Sequence, residues 1–327
     1  MKAKISLAFI LAFALFFYNM SSKDAQAQQR SGKYTIVIHG GAGTISESIP
    51  DSVKDAYLSS LRHALEIGKE VLDSGGTSLE AVEKVIRYFE DDPKFNAGIG
   101  AVYTSAGTHE LDAAIMDGRD LSCGAVAGVE HIAHPISLAK LVMEKTPHVL
   151  LAYGGAEEFA KKMGVPLVPN SYFDTPARKR EWEQYLNKIR KNVHGTVGCV
   201  ALDQYGNLAA GTSTGGMTGK MPGRIGDSPL IGDGTYANNQ TCAISGTGWG
   251  EKFIKNAVAF NISALMAYKG LSLTQAVHEV IHEILKPGDG GVIAVDRNGD
   301  YAMDFNTSGM FRGVATSSGV FEVKIWK

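Results

Sequence analysis

The pair Gly195-Thr196, inside the run His194 to Asp203 (HGTVGCVALD), could make a threonine into both nucleophile and base. A threonine hydroxyl is a weak nucleophile. If the chain breaks before Thr196, the freed α-amine can take the proton from that same residue's hydroxyl. A terminal amine titrates near pH 7.7 to 8.0 in model peptides, so much of it is unprotonated at neutral pH, whereas a lysine would need a large shift. Gly195 suits the same reading, because a residue without a β-carbon lets the hydroxyl approach the preceding carbonyl and attack it. Taken alone, however, Gly195-Thr196 is also what a loop leading into a strand looks like.

The neighbouring residues supply the elements that would position the pair. Val197 to Asp203 reads as an apolar strand, Gln204 to Asn207 as a turn and Leu208 to Thr214 as a returning strand. Such a hairpin carries Thr214 back towards Thr196, where a second hydroxyl could orient the first.

These runs resemble the plant-type asparaginases, the isoaspartyl peptidase/L-asparaginases of the N-terminal nucleophile hydrolase group. The resemblance rests on HGGAG (His39 to Gly43), on FNAGIGAVYTSAGTHELDAAIMDG (Phe95 to Gly118) and on HGTVG before the first strand. It continues through GRIGDSP (Gly223 to Pro229) to DFNTSGMFRG (Asp304 to Gly313), so it spans nearly the whole chain. It implies an α+β fold of the four-layer αββα sandwich type, self-cleaved between Gly195 and Thr196. The products would be an α subunit, 28–195, and a β subunit, 196–327, interleaved in one structural domain. Two such heterodimers would pair.

The resemblance also implies roles. Thr196 would be the nucleophile, Thr214 its hydrogen-bonding support and Asn96 a neighbour of the nucleophile. Thr247 and Gly248 would form the oxyanion hole, a suitable use of fixed donors because acyl transfer builds charge on the carbonyl oxygen. Arg224 would hold the substrate α-carboxylate and Asp227 its α-ammonium, with Gly248 and Gly250 lining the substrate. A planar guanidinium can grip a carboxylate bidentately. Without the resemblance, Gly223 to Asp227 is a surface loop with one ion pair. The backbone carbonyls of Phe89, Glu90, Asp92, Phe95, Ala97 and Ile99 would bind a structural sodium ion, as oxygen ligands suit a hard cation; no catalytic cofactor is implied. Two positions depart from the family's usual pattern: Gly246, where cysteine or alanine is common, and Asp304, where proline is frequent.

Competing motifs carry less. His278-Glu279-Val280-Ile281-His282 matches the H-E-x-x-H of zinc peptidases. Ser272 to Gln275 reads as a capping box, and Leu273, Val277, Val280, Ile281 and Ile284 form an apolar stripe. Both histidines fall on the polar flank of that stripe, and no third ligand stands at a recognised spacing. Leu285 replaces the glycine of the long metzincin signature, and Pro287-Gly288 stops the helix. HGGAG lacks phosphate-loop spacing, so its glycines read as allowing close approach of strands around the new N-terminus. Cys199 has no evident histidine partner, and Cys123, Cys199 and Cys242 read as core thiols.

A net charge of -2, with 20% charged and 44% hydrophobic residues, shows no nucleic-acid footprint and no disordered tail. Lys2, Lys4, the apolar run Ile5 to Tyr18 and Ala25-Gln26-Ala27 read as a secretory signal peptide, 1–27, implying a secreted or periplasmic protein without a membrane anchor. Helices are expected at Asp51 to Asp73, Ser78 to Glu90 and Ile136 to Lys145, with a hairpin turn at Asp296 to Gly299. The charged stretch Asp174 to Asn192 reads as a short helix and an exposed end before the cut. The resulting expectation is an amidohydrolase acting on L-asparagine and β-aspartyl (isoaspartyl) peptides through an acyl-Thr196. The alternatives are a glycosylasparaginase, a silent aspartate-binding protein that stays uncut, and a metallopeptidase.

Overall fold

The computed structural model describes residues 32–187 and 195–327. The signal-peptide reading of 1–27 and the end of the charged stretch, 188–194, fall outside the described residues.

Two sheets and their flanking helices form a mixed α/β fold. The larger sheet contains eight strands in the order β12-β11-β1-β5-β6-β2-β3-β4, and the smaller four in the order β10-β9-β8-β7. In chain order these are β1 (Thr35–Gly43), β2 (Leu111–Asp117), β3 (Cys123–Val129), β4 (Leu150–Ala152), β5 (Val197–Leu202) and β6 (Leu208–Thr214). They continue as β7 (Thr235–Ala237), β8 (Cys242–Gly248), β9 (Gly290–Asp296), β10 (Tyr301–Phe305), β11 (Gly309–Thr316) and β12 (Phe321–Lys324). The helices are α1 (Asp51–Asp73), α2 (Ser78–Asp91), α3 (Pro135–Lys145), α4 (Tyr153–Lys162), α5 (Pro176–Leu186), α6 (Gly250–Asn256), α7 (Val258–Lys269) and α8 (Leu273–His278).

Strand alternation decides which side chains meet. Ile36, Ile38, Val197, Cys199 and Ala201 share an apolar cluster with Leu61 and Leu65 of α1 and Val82, Ile86 and Phe89 of α2. The intervening residues Val37, Val200 and Leu202 face the other way, against Ala243, Ile293 and Val295 of the smaller sheet. Ile244, Val292 and Ala294 point outward again, onto Ile262 of α7 and Val277, Val280 and Ile281 of the α8 segment. Both faces of the central strands are therefore buried, and period 2 assigns each residue to one of two layers.

Helices α1, α2 and α3 form where the pattern predicts them, whereas α4, α6 and α7 are not expected from the sequence. In α2 the buried Ala81, Val82, Val85, Ile86 and Phe89 recur at three- and four-residue spacing, and a capping box starts the helix. Thr77 Oγ1 accepts from the Glu80 amide at 3.2 Å, while Glu80 Oε2 accepts from the Thr77 amide at 2.9 Å. The same box, Ser272 with Gln275, begins α8, which then widens into a π-helical turn at Glu279–Ile284. Strand β1 runs through HGGAG to Gly43, with a register shift between His39 and Gly41 where it pairs with β11.

Among the three cysteines none is bonded to another; Cys199 and Cys242 are buried and Cys123 is half-buried, less enclosed than a core thiol should be. Burial pushes the Cys199 thiol well above its ordinary range, which makes it inert rather than nucleophilic.

Removing the helix-start bond is the simplest test of this scaffold. Thr77→Ala should lower stability by about 1 kcal/mol, the usual cost of a lost N-cap, without changing the helix content measured by circular dichroism at low temperature. Equality of its chemical denaturation midpoint with that of the parent would show that the box contributes nothing.

Candidate active site

Thr196 stands at the mouth of the β5–β6 hairpin. Val197 pairs with Ser213 and Gly198 with Thr212, so continuing the antiparallel register sets Thr196 across from Thr214. The turn that fixes this register is held by Asp203 Oδ1, which accepts from the Tyr205 and Asn207 amides at 3.0 and 2.9 Å. Alternation then directs Thr196, Thr212 and Thr214 into the layer between the sheets, where all three are buried.

Three hydroxyl and amide groups surround the Gly195–Thr196 bond. Thr196 Oγ1 donates to Thr214 Oγ1 at 3.1 Å, and Thr214 Oγ1 donates to the Gly195 carbonyl at 3.2 Å. Thr214 also accepts from the Gly216 amide at 2.9 Å, so its single hydroxyl hydrogen is directed towards Gly195. Asn96 Nδ2 donates to the Gly195 carbonyl at 2.6 Å and to the Gly216 carbonyl at 2.7 Å, while its Oδ1 accepts from the Val102 amide at 3.0 Å. With both hydrogens committed to carbonyls, the Asn96 amide has only one workable orientation. Gly41 passes close behind: a β-carbon there would lie 3.0 Å from Gly195 Cα and 3.3 Å from Thr196 N.

A second line of polar groups ends on the Thr196 carbonyl. Burial lowers the His39 imidazole to a pKa of about 3, so the ring is neutral. Its Nδ1 lies 3.0 Å from the Thr196 oxygen, which can only accept, and therefore carries the hydrogen. Nε2 then accepts from Ser245 Oγ at 3.0 Å, and Ser245 in turn accepts from Thr212 Oγ1 at 2.7 Å. Thr235 Oγ1 donates to Thr212 at 2.7 Å and completes the chain. His39, Thr212, Ser245 and Thr235 were not singled out from the sequence as site residues. Alternation along β5, β6 and β8 was the available signal, but which buried hydroxyls meet is fixed only when the two sheets pack.

Thr247 is the penultimate residue of β8, beside this layer. Its Oγ1 accepts from the Ala42 amide at 3.1 Å, and its hydroxyl hydrogen has no acceptor among the described residues. Gly248 follows with φ +149, where a β-carbon would press on the Asp289 carbonyl at 2.2 Å. Gly246 leaves room for the Phe253 ring, whose Cε1 would lie 2.7 Å from an added β-carbon, so that departure from the family pattern touches packing and not chemistry.

The expected clamp residues also converge. Arg224 gives a bidentate pair to Glu251, Nε to Oε1 at 2.9 Å and Nη2 to Oε2 at 3.0 Å, which holds the Glu251 carboxyl below its ordinary range. Its Nη1 makes no hydrogen bond among the described residues, and Gly216 and Gly226 leave space beside it. Asp227 is buried with Oδ2 lacking a partner among the described residues, and burial raises its pKa from 3.8 to about 7. An added β-carbon at Gly250 would fall 2.7 Å from Asp227 Oδ1 and 2.8 Å from Arg224 Nη2. Gly216 joins this clamp to the threonine pair, since its amide and carbonyl bond Thr214 and Asn96. The loop is tied down by Glu110, whose carboxylate accepts from the Gly223 amide at 2.9 Å and whose carbonyl accepts from Lys220 Nζ at 2.7 Å.

The loop after α2, where the sodium carbonyls are expected, is closely packed on its own backbone. A β-carbon at Gly98 would lie 2.0 Å from the Glu90 carbonyl oxygen, and one at Gly100 would lie 1.9 Å from that of Phe95. Phe89, Asp92 and Ala97 each accept one backbone hydrogen bond within the loop, at 3.3, 3.2 and 3.1 Å, which leaves a second lone pair on each oxygen.

Together these features define a buried threonine hydroxyl at the head of a strand, with an arginine edge and a carboxylate oxygen nearby that have no partner among the described residues. The family model described as Asparaginase matches residues 32–325. The chain is 48% identical to the isoaspartyl peptidase of Salmonella typhimurium over 300 residues, covering 86% of this chain and 94% of that protein. It is 46% identical to the isoaspartyl peptidase of Escherichia coli over 313 residues, 90% and 98% of the two chains. The human isoaspartyl peptidase/L-asparaginase is 41% identical over 285 residues, 84% and 91%. The chain belongs to this asparaginase family.

The hydrogen-bond line through His39 depends on Gly198, where a β-carbon would fall 2.0 Å from Ser245 Oγ and 2.2 Å from His39 Nε2. Gly198→Ala should therefore destabilise the protein by about 1–3 kcal/mol, the usual range for overpacking. A thermal midpoint unchanged from the parent would contradict that crowding.

Proposed function

We propose that this protein is a self-cleaving amidohydrolase that removes aspartyl groups from L-asparagine and β-aspartyl peptides through an acyl-Thr196 intermediate. The observation that carries the reading is the hydroxyl relay from Thr196 through Thr214 to the Gly195 carbonyl, at 3.1 and 3.2 Å. Attack by Thr196 Oγ1 on the Gly195 carbonyl carbon forms a C–O bond. The Thr196 proton passes to Thr214 as Thr214 gives its own to the carbonyl oxygen, and Asn96 Nδ2 stabilises the charge developing there. Collapse re-forms the carbonyl and breaks the C–N bond as the proton on that oxygen passes, through the Thr214 hydroxyl, to the departing Thr196 nitrogen, which leaves an ester with a free α-amine. Water then hydrolyses the ester, and a cavity of about 120 Å³ lined by Gly41, Asn96 and Gly195 offers it a path.

In the processed enzyme the α-amine of Thr196 takes the hydroxyl proton as that oxygen attacks the side-chain carbonyl of the aspartyl group. The Thr247 hydroxyl and the Gly248 amide would stabilise the oxyanion. Ammonia or the peptide amine leaves with a proton, and water releases aspartate from Thr196. Arg224 through its open edge would hold the α-carboxylate, and Asp227 the α-ammonium; the unpartnered buried oxygen of Asp227 is a group that a cation would satisfy. The names of the relatives, isoaspartyl peptidase and L-asparaginase, support both substrates.

The three apolar clusters support layering as helices, sheet, sheet, helices, the αββα arrangement. The carbonyls of Phe89, Glu90, Asp92, Phe95, Ala97 and Ile99 would hold a sodium ion whose chemistry is to fix the loop that carries Asn96. Lys2, Lys4 and the apolar run after them support export from the cytoplasm.

Intact mass under denaturing conditions tests the reading directly. Incubated wild-type protein should give two fragments meeting between Gly195 and Thr196, Thr196→Ala one unbroken and inactive chain, and Asn96→Ala cleavage slowed about 100- to 1000-fold, as for loss of one oxyanion donor. A wild-type chain that stays whole while hydrolysing asparagine would remove the free amine from the mechanism.

The raised Asp227 carboxyl sets a pH dependence with a definite sign. Below about pH 7 it takes up a proton and loses the charge that attracts an ammonium. Competitive inhibition by L-aspartate should therefore weaken about tenfold per pH unit below that value, while succinate, which lacks the ammonium, should show no such loss. Parallel curves for the two ligands would place the titration elsewhere.

A further inference from the structure

The H-E-x-x-H segment has a third partner that its spacing in sequence does not reveal. His278 and His282 lie one turn apart with ring centroids 4.7 Å from each other. Asp304 of β10 approaches from the adjoining sheet edge, with both carboxylate oxygens 3.0 Å from His282 Nε2. One ligand atom from each of the three lies within 4.8 Å of the others. We propose that His278, His282 and Asp304 form a binding site for one divalent transition-metal cation, with Zn2+ as the best-matched ion.

The donor set argues for that class of ion. Two imidazoles and one carboxylate, with room left for water, suit Zn2+ and its first-row neighbours, whereas Ca2+ and Mg2+ need more oxygen ligands. Binding requires a neutral His282 with the Nε2 lone pair free, so the hydrogen now shared with Asp304 moves to Nδ1 or to solvent and the cation takes its place.

The supports around the cluster are fixed. Phe305 N donates to Asp304 Oδ1 at 2.8 Å, orienting the carboxylate from behind. Asn306 Nδ2 donates to the Ile281 carbonyl at 2.7 Å and so ties the helix segment between the histidines to the loop following Asp304. Val280 and Ile281 anchor the inner side of the same segment in the apolar cluster. The π-helical widening at Glu279–Ile284 lies between and around the two rings, a kind of distortion often found at binding sites.

The cluster differs from a hydrolytic zinc centre. Glu279, which would be the base in a zinc peptidase, pairs with Lys269 at 3.1 Å. His278 is exposed, so the cation would sit on the outer helical side of the smaller sheet. Thr196 belongs to the layer on the inner side. The consequence of binding is a clip between the α8 segment and edge strand β10, which stabilises the folded state by an amount that grows with the logarithm of free Zn2+ above its Kd.

The test uses the full processed protein, freed of metal by dialysis against a chelator, titrated with Zn2+ by calorimetry and with Co2+ by visible absorption. One Zn2+ per chain, a Co2+ spectrum of nitrogen and oxygen coordination, and a Zn2+-dependent rise in thermal midpoint are expected. His278→Ala and Asp304→Asn should each weaken Zn2+ binding about tenfold or more, and should leave asparagine hydrolysis and the metal-free thermal midpoint unchanged. Because His278 is exposed, its variant also reports on the site if Asp304→Asn folds poorly. The absence of stoichiometric Zn2+ binding, or equal binding by wild type and His278→Ala, would overturn the proposal, the latter result showing the ion held elsewhere.

Discussion

Between two sheets that are each covered on the other side, a polar group can be satisfied only by another polar group, and the threonine site depends on that constraint. Thr196, Thr214, Thr212, Ser245 and His39 are all buried, and each finds its partner within the same layer. Because every hydroxyl has one hydrogen, the sequence of donors and acceptors is nearly forced: Thr196 to Thr214 to the Gly195 carbonyl on one branch, and Thr235 to Thr212 to Ser245 to His39 to the Thr196 carbonyl on the other. The first branch directs the hydroxyl at the bond before it. The second holds the peptide after it. A neutral His39 is needed for this order, and full burial, by lowering its pKa to about 3, secures it.

The clamp follows the opposite principle. Arg224 is half-used by Glu251, and Asp227 retains a buried oxygen with no partner among the described residues. Such a group destabilises the free protein, and its raised pKa of about 7 is the signature of that cost. Stability is lost here as pH rises through the folded-state value, since the folded chain holds the proton that an unfolded carboxyl has already released. In the proposed reading, a ligand bearing an ammonium would relieve the penalty, so that selectivity would come from what the fold leaves incomplete. The two principles meet at Gly216, which bonds to the threonine side and leaves space beside the arginine.

The outer layer of the smaller sheet adds a third arrangement. There the polar flank of the α8 segment faces a carboxylate from β10, and Asp304 joins His278 and His282 although it lies on a separate element. Asp304 was notable in the sequence only as a departure from proline. Its significance lies in the strand's alternation: Phe305 faces the other sheet and Asp304 the helices, within reach of His282.

Much of the fold was legible from the residues. The helices at 51–73 and 78–91, the hairpin that faces Thr196 with Thr214 and the capping box at Ser272 all follow from local periodicity, turn chemistry and caps, which depend on neighbours a few residues apart. The family resemblance further brought Asn96, Arg224, Asp227 and Thr247 forward, and the structure places them at two adjoining clusters. Other features depended on packing between elements far apart in the chain. The His39 to Thr235 hydrogen-bond line requires β1, β6, β7 and β8 to stack, the orphaned oxygen of Asp227 requires the loop to be buried, and the pairing of His282 with Asp304 requires a helix to lie over a particular strand edge. Sequence by itself determined which residues alternate, cap and turn, because those are short-range backbone preferences; only the tertiary structure decided which buried polar groups find partners, because that is a property of surfaces brought together after the local elements exist.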